Sequence, residues 1–71
     1  SIPMSLSLTY TDSWADPVGK TFVLGRPNAK GEYVITLGGT RWLIANTARI
    51  PPGERVTVTG LAGEALAVSR A

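Results

Sequence analysis

Between Gly31 and Val68 apolar residues recur at every second position in short runs, and each run stops at glycine or proline. A period of two is that of a strand with one buried face, and the Gly and Pro breaks mark turns. Residues 18–25 read as a first strand, with Phe22 and Leu24 on one face and Thr21 and Val23 on the other. Residues 26–31 read as a turn opened by Pro27 and Asn28 and ended by Gly31. Residues 32–37 and 40–45 read as strands two and three, joined by Gly38-Gly39. Two glycines in a two-residue loop supply the positive φ that both centres of a type I′ turn require.

That loop length predicts a register. Leu37 opposes Thr40, Ile35 opposes Trp42 and Tyr33 opposes Ile44, all on one face. The other face then carries Glu32, Val34 and Thr36 from strand two and Arg41, Leu43 and Ala45 from strand three. Residues 46–53 form a loop too short for a packed helix with two connections, and Pro52-Gly53 suits the centre of a type II turn. Residues 54–59 and 64–69 read as strands four and five. A three-residue loop, Leu61-Ala62-Gly63, would oppose Val58 to Leu66 and Val56 to Val68. A two-residue loop would set Val58 against Ala65, so the three-residue loop is the expectation. It also places Glu54 opposite Arg70 as a rim ion pair.

The inward set is then Phe22, Tyr33, Ile35, Trp42, Ile44, Val56, Val58, Leu66 and Val68, joined by Leu24, Leu37 and Ile50. These features predict an all-β chain. A compact five-stranded OB-like β-barrel is the economical arrangement, because closure removes the exposed edges of a short sheet. The usual helix between strands three and four is replaced by a loop. The barrel domain takes residues 17–71. Residues 1–16, rich in Ser, Thr and Asp and carrying Pro3, read as a flexible linker or tag remnant. A weak alternation over residues 5–10 leaves a short edge strand open there.

Composition narrows the chemistry. Seventy-one residues make one small domain with little room for a deep pocket. The absence of Cys and His removes disulfides, thiolate and zinc sites, and Ser-His or Cys-His pairs. No metal, cofactor or catalytic residue is expected, and the chain is read as not an enzyme. Gly19-Lys20-Thr21 lacks the upstream glycine of a phosphate-binding loop, since Trp14 holds that place; it reads as the start of a strand. Lys20 and Lys30 lie near turns, and no serine sits in a strained elbow to pair with them.

The net charge of +2 comes from seven basic and five acidic residues spread along the chain, not from a basic cluster. Barrels that bind single strands stack bases on outward aromatics, but the register turns Tyr33 and Trp42 inward. Nucleic acid is therefore not the expected partner. Val34, Thr36, Arg41 and Leu43 remain outside as a candidate protein-contact surface, with Val34 directly opposite Leu43. No run is long and apolar enough for a transmembrane helix. The chain opens on Ser1 and is expected to be a piece of a longer protein.

An ordered set of segments resembles one family. Val18-Gly19-Lys20 opens strand one, Gly31 precedes strand two, and Gly39-Thr40-Arg41-Trp42 follows the hairpin. Residues 50–58 (IPPGERVTV) and 63–68 (GEALAV) complete it. The set resembles the soluble C-terminal domain of NfeD-like proteins from about Pro17 onward. The resemblance implies an OB-fold domain carried behind transmembrane helices in a prokaryotic membrane protein, with a stomatin- or flotillin-like scaffold as partner. It implies membrane anchoring of the full-length protein, with the cytoplasmic side favoured. It brings no catalytic residue to this barrel, and the isolated domain is expected to be a monomer.

Overall fold

The computed structural model describes residues 16–71; the linker reading of residues 1–16, apart from Asp16, and the alternation over 5–10 lie outside them. Five strands and no helix make up the described chain: β1 (Thr21–Val23), β2 (Tyr33–Leu37), β3 (Thr40–Ala45), β4 (Arg55–Ala62) and β5 (Ala65–Arg70). They form one curled half-barrel sheet in the order β1-β4-β5-β3-β2. The β3–β5 pair is parallel and the other three are antiparallel. Among the described residues the sheet ends at β1 and β2, which pair neither with each other nor with a further strand.

The β2–β3 hairpin has the register its turn dictates. Leu37 faces Thr40, Ile35 faces Trp42, Tyr33 faces Ile44, and between them lie Thr36–Arg41 and Val34–Leu43. Gly38 and Gly39 have φ of 57° and 82°, as the two centres of a type I′ turn require. β1 is assigned only three residues, but its ladder to β4 runs further. The Gly19 N–H donates to the Val58 carbonyl (2.8 Å) and the Leu24 N–H to that of Glu54 (2.9 Å). The first strand therefore pairs over most of the predicted span.

The β4–β5 hairpin corrects the expected register. Its turn is the two-residue Gly63-Glu64, with Ala62 facing Ala65. Gly63 has φ of 63° and Glu64 is not in the left-handed region, the pattern of a type II′ turn. Val58 faces Val68, not Leu66, and Val56 faces Arg70, not Val68. A bulge lies between Val58 and Gly60. It inserts Thr59, whose hydroxyl donates to the Ala67 carbonyl at 3.3 Å. Without the bulge this turn would set both core valines against polar or terminal residues. The extra residue restores the Val58–Val68 pair, while the turn itself sets Leu61 opposite Leu66. The Glu54–Arg70 ion pair forms on a diagonal, Nε to Oε1 at 2.7 Å. The hydrogen bond to Glu54, and then its charge, raise the pKa of the exposed Arg70 guanidinium above its ordinary value.

The core centres on Leu24, Ile44, Ile50 and Val56, with Phe22, Tyr33, Ile35 and Val68 packed against it. Val58 and Leu66 are likewise fully buried. Trp42 and Leu37, nearer the Gly38-Gly39 end, are half-buried and lie outside that cluster. Ile50 reaches the core from a loop, where its own backbone would lose water. Asn46 resolves this: its Oδ1 accepts the Ile50 N–H and its Nδ2 donates to the Ile50 carbonyl, both at 2.9 Å. One side chain thus satisfies both polar groups of a buried loop residue. The same loop holds Arg49 at φ 55°, a left-handed conformation that L-residues other than Asn and Asp rarely adopt.

Candidate functional site

Successive side chains of a strand point to opposite faces, so the register of β2 and β3 decides what the convex face presents. Val34–Leu43 and Thr36–Arg41 are consecutive cross-strand pairs on that face. The four residues predicted as a contact surface therefore adjoin one another. Leu43 is 42 % exposed, Val34 is half-buried, and Thr36 and Arg41 are exposed.

The parallel pairing extends this surface beyond what the sequence reading named. Leu43 lies beside Ala65 and Ala45 beside Ala67, and Ala65 in turn faces Ala62. Val34, Leu43, Ala65 and Ala62 thus form one apolar row across four strands. Alanines keep it low, so Leu43 stands proud at its centre. The alternation of residues 65–68, with Leu66 buried between Ala65 and Ala67, was the signal that these alanines face outward. Their position beside Leu43 depends on a non-local strand pair.

An open groove of about 310 Å³ adjoins this row at the end where β2 begins and β3 finishes, lined by Glu32, Tyr33, Leu43, Asn46 and Ala65 among others. The Asn46 and Glu32 side chains on its wall are engaged in holding the fold. The Asn46 amide is spent on Ile50. The Glu32 carboxylate accepts from Asn28 Nδ2 at 3.1 Å, while Asn28 Oδ1 accepts the N–H groups of Lys30 and Glu32 at 3.0 and 2.8 Å. Asn28 is thus the organiser of the β1–β2 turn.

Lys20 lies at the start of the β1 ladder and Lys30 in the turn at Asn28. The Gly19 and Lys20 N–H groups donate to the carbonyls of Val58 and Pro17, so neither is available to cradle a phosphate. Tyr33 and Trp42 lie on the concave side, opposite Ile44 and Ile35. Compared with family models, characterised proteins and solved structures, the chain matches none of them.

Proposed function

We propose that this chain is a noncatalytic protein-interaction domain of OB-like architecture that docks through the convex face of β2 and β3. Exposed Leu43, opposite Val34 and continuous with the alanine row, is the observation that carries this reading. Apolar centres with a polar rim are the anatomy of protein contacts, and Thr36 and Arg41 supply such a rim. The strand order supports the OB-like part: β1-β4-β5-β3-β2 with a parallel β3–β5 pair is the order an OB barrel would have if opened between its first two strands.

The partner class follows from the resemblance to NfeD-like domains: a stomatin- or flotillin-type membrane scaffold, met by a domain tethered to the same membrane. No helix among the described residues is long and apolar enough to cross a membrane, so tethering belongs to chain outside them. The test is a pull-down of a purified stomatin-type protein by the domain. Val34→Ser with Leu43→Ser should abolish capture and leave the thermal melt nearly unchanged. Undiminished capture by this variant would refute the surface.

The second reading is a module for single-stranded nucleic acid. The half-buried Trp42, outside the main cluster, is the observation that favours it. Tight oligonucleotide binding in a gel shift, falling steeply with salt, would select it over protein docking.

A further inference from the structure

Among the described residues, no strand pairs with the outer edge of β2. The tight Gly38-Gly39 turn makes Leu37–Thr40 a hydrogen-bonded pair, and the antiparallel alternation makes Ile35–Trp42 and Tyr33–Ile44 bonded pairs too. Val34 and Thr36 therefore turn their N–H and C=O groups away from β3, onto the open edge. Glu32 points its groups the same way, and there Asn28 takes both: its N–H donates to the Glu32 carbonyl, and its Oδ1 accepts the Glu32 N–H, each at 2.8 Å. Among the described residues the edge is capped at one end, and no backbone partner meets the outward groups of Val34 and Thr36.

Those two residues bracket Ile35. A two-fold axis through Ile35 sets Val34 against Thr36 of a second copy and Thr36 against its Val34. Each of these is a bonded pair that exchanges two hydrogen bonds. Each of these outward groups finds a partner, with Tyr33 opposite Leu37 on the concave face. No charge is brought against a like charge, because β2 carries none and Glu32 falls opposite Gly38. The other edge is guarded: β1 is three residues long and lies between Lys20 and Arg26, with Pro17 and Pro27 beyond. β2 has no charge and no proline in Tyr33–Leu37, and no bulge interrupts its register.

From this geometry we infer that β2 is a self-association edge, joining two copies antiparallel about Ile35. The contact uses backbone groups, so it stands apart from the Val34 and Leu43 side chains of the docking surface. A five-residue contact lies at the small end of specific interfaces, so the chain is a monomer when dilute and pairs as concentration rises.

Amide hydrogen exchange, read residue by residue from micromolar to millimolar concentration, tests this directly. The Ile35 and Leu37 N–H groups, bonded to β3, should be protected throughout. Those of Val34 and Thr36 should exchange freely when dilute and slow by about tenfold or more when concentrated. Thr36→Pro removes an outward donor without touching the β3 ladder and should abolish both the slowing and the dimer seen by sedimentation. Val34→Lys, which puts a charge on the edge strand, should do the same if the proline variant fails to fold. Protection of Val34 and Thr36 that is already present when dilute would mean that another part of the same chain closes the edge, and would overturn the proposal. So would a monomer at every concentration, or a dimer that survives in a folded edge variant.

Discussion

The two hairpins of this sheet reach their registers by different routes. In β2–β3, the Gly38-Gly39 turn and the alternation of Tyr33, Ile35 and Leu37 give one answer, and nothing intervenes between turn and core. In β4–β5, the turn alone would misplace both core valines, and the bulge at Thr59 corrects it three residues before the tip ends at Ala62. A regular hairpin ties every side chain to its turn. A bulged one separates the turn from the core, which lets the Leu61–Ala62 tip project while Val56 and Val58 stay fully buried.

The sharpest way to break that comparison is deletion of a single residue in each hairpin. Deleting Thr36 shifts Tyr33 and Ile35 by one and turns them out of the core. The chain should lose cooperative unfolding by circular dichroism. Leu66 and Leu61 probe the bulged register from within, since they face each other yet are 0 % and 58 % exposed. Leu66→Ala should cost about 2–5 kcal/mol in urea denaturation, and Leu61→Ala at most about 0.5 kcal/mol. Equal costs would mean that the tip does not project.

The connector that joins the hairpins comes next. Asn46→Ala leaves the Ile50 backbone buried without partners and should cost about 1–3 kcal/mol in the same measurement. A milder loss is expected from deletion of Thr59, which removes the bulge but keeps Val58 opposite Val68. A cost of about 1 kcal/mol is expected, against complete unfolding for the Thr36 deletion. If the two deletions proved equally damaging, the bulge would not be the device that separates turn from core.

This contrast also explains what could be read in advance. The inner and outer faces of β2 and β3, and with them Val34, Thr36, Arg41 and Leu43, follow from turn chemistry a few residues away. The β4–β5 register was misplaced because a period-two reading has no room for an unpaired residue. Gly60 inside a strand pattern was the available sign of a bulge. The parallel pairing of Ile44 with Leu66 joins residues far apart in the chain, and no local pattern encodes it. The Asn46 clamp was missed because its purpose appears only once Ile50 is known to be buried. Which strands end the sheet, β1 and β2 among the described residues, likewise depends on all the pairings together.

The most direct test of the docking surface is an NMR titration of the labelled domain with a purified stomatin-type scaffold protein, followed at each backbone amide. Shifts confined to Val34, Thr36, Arg41, Leu43 and the neighbouring Ala65 are the expected result, with a matched single-stranded oligonucleotide producing none. Shifts centred on Tyr33 and Trp42 with the oligonucleotide, and none with the scaffold, would contradict the proposed function.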